Sequence, residues 1–281
     1  MKRSVQALTS VLLIWLGSLA CVLPSLFARP ADPTGPAATP TALSTRTPPV
    51  TSTASATPRP APSPFSLDQV VRLDFTTASE SGQSPPYTLT TRTPVLQGSD
   101  DPHVQQFNQA VAALVQADVQ SFKDGLTEVP PDAPSGSYFD LDFALLSPPG
   151  DLLSLQFKID GYAAGAAHPY HYTQTFNYQL SSGEQLALGQ LFQQGTDYLA
   201  FLAAFCDSEL RQRLGEAYFP DGAQPSQENY RNWNLTPDGL LLSFDEYQVA
   251  PYAAGPQSVL IPYAVLQTIA NPQGPLATFL P

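Results

Sequence analysis

Apolar and polar residues alternate with a period of two in five stretches: Phe65–Phe75 (FSLDQVVRLDF), Tyr87–Thr93 (YTLTTRT), Tyr138–Leu146 (YFDLDFALL), Leu152–Asp160 (LLSLQFKID) and His171–Leu180 (HYTQTFNYQL). That period sends successive side chains to opposite faces and predicts half-buried strands. After the second strand the period changes. Asp101-Pro102 offers an N-cap followed by proline at the first helical position, and Val104, Phe107, Val111, Leu114, Val115 and Phe122 then recur at helical spacing up to Gly125. A second helix is expected over Asp197–Leu214, closed by Gly215, with a short helical turn before it in LALGQLF. Ser147-Pro-Pro-Gly150 and Pro237-Asp-Gly239 are turn signals, the latter within a hairpin-like region, and Pro262 opens a final helix in SVLIPYAVLQTIA. Strand, strand, helix, then a strand meander with helices inserted reads as an α+β fold. The expectation is an antiparallel sheet in two small subdomains, 65–135 and 136–281.

The pattern fails at the N-terminus, and composition says why. Ten prolines lie between Pro30 and Pro64 in a run of Pro, Ala, Ser and Thr with no aromatic residue. Such a segment buries too little apolar surface to offset its ordering entropy, so 29–64 reads as a disordered spacer. Before it, Met1-Lys2-Arg3 precedes an apolar run from Val11 to Ala28, and SLAC (Ser18–Cys21) puts small residues ahead of a cysteine. Residues 1–28 are therefore a signal peptide or N-terminal anchor, open to three outcomes: lipidation at Cys21, ordinary cleavage, or an uncleaved span. Each places the remainder outside the membrane, attached by its N-terminus alone or secreted.

Charge narrows the partner. From Phe65 onward the chain has seven lysines and arginines against 23 aspartates and glutamates, a balance of −16. Nucleic acid needs clustered cations to neutralise phosphate, so it is excluded as a partner. An acidic surface suits a cationic partner, whose encounter it accelerates, and it also serves solubility.

Candidate chemistry is sparse. The stretch Gly161–Tyr172 (GYAAGAAHPYHY) holds His168 and His171, two of the three histidines. Zinc wants three or four ligands, and Pro169 disfavours a shared helical face, so no metal and no cofactor are expected. Asp140 and Asp142 share one strand face and read as its wet side. Asp245-Glu246 could pair with another carboxylate in a wall hydrolase, but no nucleophile elbow, zinc-protease helix or phosphate loop accompanies them. Cys206 lies on the apolar side of a helix without a basic neighbour, as a packed rather than reactive thiol. The word YAAG occurs twice, at Tyr162–Gly165 and Tyr252–Gly255. Tyrosine beside small residues makes either a tight turn or a rigid amphipathic contact surface. The expected binding residues are Tyr162, His168, Pro169, Tyr170 and Tyr252, with no catalytic residue.

GYAAGAAHP, then NYQLSSGEQLALGQLF, then LTPDGLLLSFDEYQVAPYAAGPQSVLIPY together resemble the extracellular RsiV-like domain. That domain is shared by RsiV-type anti-sigma factors and PdaC-type peptidoglycan deacetylases. The resemblance covers Leu152–Gln267, departs from the family pattern at Ala164, Ala167, Gln179 and Gln190, and extends upstream into the usual partner domain through YTLTTRTPVLQGSDDPHVQQFNQAV. It implies an α+β fold outside the cell. In the anti-sigma factors the domain binds lysozyme, and in the deacetylases a separate domain does the chemistry. The segment ahead of the apolar run here is too short to hold a sigma factor, and no catalytic domain fits the length. The reading that follows is a non-catalytic envelope binding module for a lysozyme-like cationic protein or peptidoglycan. A structural or assembly component of the envelope is the alternative.

Overall fold

The computed structural model describes residues 71–280, apart from Asp132, Pro134 and Pro149. The expectations for 1–28, Cys21, the 29–64 spacer and the first residues of the strand from Phe65 lie outside the described residues. Six strands form one sheet in sequence order: β1 (Arg72–Gln83), β2 (Pro86–Gln97), β3 (Ser137–Leu145), β4 (Leu152–Tyr162), β5 (Tyr170–Gln179) and the two-residue β6 (Glu184–Gln185). Helix α1 (Pro102–Gly125) connects β2 to β3. It begins where the sequence places it, with the Asp101 carboxylate accepting the His103 backbone N–H at 2.8 Å.

The fold is α+β, but the sheet is not wholly antiparallel. β2 and β3 run parallel, pairing from Tyr87↔Ser137 to Thr91↔Leu141. The reason is the connection: a 24-residue helix carries the chain back to the end where β2 began, as a parallel pair requires. A second consequence concerns the boundary expected at 135/136. β3, β4 and β5 share a sheet with β1 and β2 and a core with α1, so the two cores do not divide there.

The first core lies between α1 and one face of the sheet. Phe107 packs edge-on against Phe176 and Tyr178, with ring centroids 5.8 and 5.4 Å away, and Phe122 tilts over Phe139 at 5.3 Å. The second core joins α2 (Tyr198–Leu214), where Cys206 is fully buried, to a three-stranded antiparallel sheet of β7 (Trp233–Leu235), β8 (Gly239–Phe244) and β9 (Gln257–Pro262). The single-turn α3 (Tyr263–Leu266) follows Pro262, as expected.

Between the two sheets runs a buried polar seam. Ser154 Oγ donates to Asn177 Oδ1 at 2.6 Å and accepts from Asn234 Nδ2 and the Leu235 N–H, both at 2.9 Å. Asn177 Nδ2 donates to the Trp233 carbonyl at 2.8 Å, and Gln156 Nε2 to Ser243 Oγ at 3.2 Å. These are the polar positions of two alternating strands. They are buried because the second sheet covers them, and tolerable there because they bond one another.

Candidate functional site

The second sheet covers only one end of that face. At the other end β3, β4 and β5 bring a row of polar side chains into register: Asp140 opposite Asp160, and Asp160 opposite His171. Two carboxylates directly opposite on one face repel each other. Tyr138 donates its hydroxyl to Asp160 at 2.9 Å, and that bond raises the Tyr138 phenol to about 12. His171 Nδ1 is 2.8 Å from Glu246 Oε1, and Nε2 is 3.6 Å from Asp160. Among the described residues no lysine or arginine pairs with Asp140, Asp160 or Glu246, whereas Arg72, Arg92, Lys123, Arg211 and Arg231 are all engaged in ion pairs elsewhere. Lys158 stands two residues before Asp160 on the same face of β4, opposite Asp142, and the row keeps an excess of carboxylates.

Rings lie beside it. His168 packs against Tyr252 with centroids 4.1 Å apart and lies 6.3 Å from Tyr247, while Tyr247 and Tyr252 are 5.7 Å apart. The Pro169 carbonyl accepts the Tyr252 hydroxyl at 3.2 Å and lies 2.7 Å from His168 Nδ1, and His168 Nε2 meets the Tyr247 hydroxyl at 3.2 Å. Tyr247 is 55% exposed, so much of its ring faces water.

Tyr247 has φ +64°, the left-handed region that side chains other than glycine rarely adopt. The turn holding it is pinned from behind. Gln248 Nε2 donates to the carbonyls of Gly222 and Asn229, both at 3.0 Å, and its Oε1 accepts the Asp245 N–H at 3.2 Å. Gly222 is essential to that approach, since a Cβ there would lie 1.8 Å from the Gln248 carbonyl oxygen. Val249 and Ala250 then plunge into the interior. A strained, exposed tyrosine fixed by its neighbours is the pattern seen where local strain serves a site.

The five expected binding residues are sorted by this geometry. His168, Pro169 and Tyr252 meet at the aromatic cluster. Tyr162 lies alongside, stacked on Tyr138 at 6.2 Å with its hydroxyl donating to the Ala166 carbonyl. Tyr170 points to the opposite face, packed with Tyr172 over Gly161 and against the α1 core. Successive residues of a strand must diverge in this way. Both YAAG words are tight turns, with Gly165 at φ +92° and Gly255 at φ +67°. Tyr138, Asp160 and Tyr247 complete the cluster without having been singled out, and His171 and Glu246 join it although they were weighed only as metal or hydrolase candidates. The Asp-Glu-Tyr run after β8 was the available signal, but its overhang onto β5 is a tertiary contact.

Every ring nitrogen of His168 and His171 already faces a protein oxygen, and among the described residues no three His, Cys, Asp or Glu side chains gather as metal ligands. Behind the cluster, Asp245 accepts the Thr173 N–H at 2.8 Å and pairs with Arg231 at 3.1 Å. Burial nevertheless raises its carboxyl above the ordinary range, against those two partners.

Residues 189–264 match the family described as a protein of unknown function, DUF3298. The chain is 25% identical over 174 residues to the peptidoglycan-N-acetylmuramic acid deacetylase PdaC of Bacillus subtilis, covering 60% of this chain and 37% of that one. It is 27% identical over 107 residues to the immunogenic protein MPB64 of Mycobacterium bovis, and 28% identical over 109 residues to an esterase of Mycobacterium tuberculosis, each match covering 38% of this chain and 47% of the relative. The chain thus spans less than half the length of these relatives. Crystal structures of DUF3298 proteins share the fold. One from Bacteroides fragilis has a TM-score of 0.58 at 17% identity, covering 72% of this chain and 94% of its own. Another from Pseudomonas aeruginosa has a TM-score of 0.52 at 18% identity, covering 77% and 99%.

Proposed function

We propose that the chain is a non-catalytic binding module of the cell envelope, held at the outer face of the membrane by its N-terminus, and that it captures a cationic protein of the lysozyme-like kind. The carrying observation is the row Asp140, Asp160 and Glu246, with His171 between the last two and Lys158 at its margin, beside the exposed rings of His168 and Tyr247 and the half-buried ring of Tyr252. A lysine or arginine side chain entering there finds carboxylates and aromatic faces together, the combination that favours cations. The overall charge supports the same partner. Location outside the cytoplasm draws support from the relative named as a peptidoglycan deacetylase. That relative's name also favours a second ligand, peptidoglycan itself.

The test is retention of lysozyme and of purified cell wall by the immobilised full chain at low and high salt. Lysozyme retention that falls as salt rises, and falls about tenfold in Tyr252→Ala with the fold intact, is the expected result. Retention of neither ligand removes the proposal, and turnover of wall fragments removes its non-catalytic half. Cys21 is proposed as the lipid attachment. A fatty-acid label on the expressed chain is expected to disappear in Cys21→Ser, and a label that persists excludes that acceptor.

A further inference from the structure

β6 pairs only with Tyr178 and Gln179, so the edge of β5 from Tyr170 to Asn177 carries no neighbouring strand. A cavity of about 340 Å³ lies along this edge, between α1 on one side and Arg231 and Asn232 on the other. Its wall combines Leu114 and Tyr172 with Thr173, Gln174, Thr175 and Asn232, and with the Arg231–Asp245 ion pair. The volume is at the small end of the range for ligand sites, about 300–1,000 Å³, enough for one ring rather than an extended chain.

We infer that this cavity is a binding site for a single neutral, hydroxyl-rich ring, a sugar residue. The open edge could instead have accepted a peptide as an added strand. That route is obstructed. Asp245 already takes the outward N–H of Thr173, and the chain crosses the edge at Thr175, whose hydroxyl accepts the Trp233 N–H at 3.3 Å. Anions are disfavoured too, because Arg231 is bonded to both Glu228 and Asp245 and has no charge left over. What remains is the Thr173 hydroxyl and the amide oxygens of Gln174 and Asn232, whose nitrogens bond Asp118 and Asp245, facing one apolar wall. A sugar ring has the matching surface, with hydroxyls around its rim and C–H bonds on its face.

Asp118 on α1 organises the wall. It is 8% exposed, and its Oδ1 accepts from Gln174 Nε2 at 2.9 Å and from the Tyr172 hydroxyl at 3.4 Å. Its Oδ2 is buried with no hydrogen-bond partner among the described residues. Asp118 is thus a positioning residue, holding two lining side chains from behind. The site is separate from the aromatic cluster, though Asp245 and Glu246 are adjacent in sequence and serve one each.

Titration of the full chain with the β-1,4-linked tetramer of N-acetylglucosamine, with glucosamine and with inorganic phosphate tests the inference by calorimetry or saturation-transfer NMR. Saturable binding of the neutral tetramer is expected, with none of phosphate. Thr173→Val, which keeps the shape and removes the hydroxyl, should weaken it about tenfold. Leu114→Trp, which fills the cavity, should abolish it, and Arg72→Gln on β1, which lines neither site, should leave it within about twofold. Circular dichroism establishes that each variant is folded. No saturable binding of the tetramer, binding of glucosamine or phosphate alone, or tetramer binding unchanged in both folded cavity variants overturns the inference. None of these results bears on lysozyme capture, which is read separately through Tyr252.

Discussion

At the scale of single residues, burial decides which titratable groups are useful and which are inert. Cys206 is sealed in the second core, and burial pushes its thiol up to about 12, so it packs as a small apolar residue. Asp118 is held above the ordinary carboxylate range by burial, against the lowering effect of Gln174 and Tyr172. The folded state therefore binds that proton more tightly than the unfolded chain does. Its contribution favours folding at low pH and is lost as pH rises from the ordinary aspartate value through the raised one. Asp118→Asn removes this dependence. Thermal unfolding of both proteins from about pH 3 to pH 7 should show a flatter profile for the variant and, at neutral pH, a midpoint higher than that of the parent, equivalent to about 1 kcal/mol. A profile parallel to the parent's would show that Asp118 titrates normally in the fold.

At the scale of elements, the turn after β8 is the part least predictable from local preferences. Residues 245–248 present Tyr247 in a left-handed conformation, held by Gln248 against Gly222 and Asn229. Side chains in such backbone cost of order 1 kcal/mol that glycine does not. Tyr247→Gly is accordingly expected to leave the unfolding midpoint unchanged or raise it, while lysozyme capture falls. A lowered midpoint with capture intact would mean that the ring serves the fold and not a ligand. β4 and β5 show the complementary case. Their apolar alternation correctly marks the face packed on α1, yet the same alternation cannot say whether the other face meets water or a second sheet. Ser154, Gln156 and Asn177 meet the sheet, whereas Asp160 and His171 a few residues away meet the open end.

At the scale of the whole molecule, the described residues form two cores joined through the polar seam, with the carboxylate row left open where the seam stops. The α+β class, the long helix from Asp101, the second helix capped by Asp197 and the hairpin turn at Pro237–Gly239 follow from the sequence alone, because each rests on a period or on a residue with one strong backbone preference. The excess of acid and the two YAAG turns were also legible, and the turns brought attention to Tyr162 and Tyr252. Tertiary structure alone decided the rest. Register across β3, β4 and β5 aligned Asp140, Asp160 and His171, strand parity turned Tyr170 inward, and a turn about 75 residues away in sequence delivered Glu246 and Tyr247. Local periodicity encodes which face a side chain takes within its own element; which elements share that face depends on contacts between residues far apart in the chain, and no local preference records them.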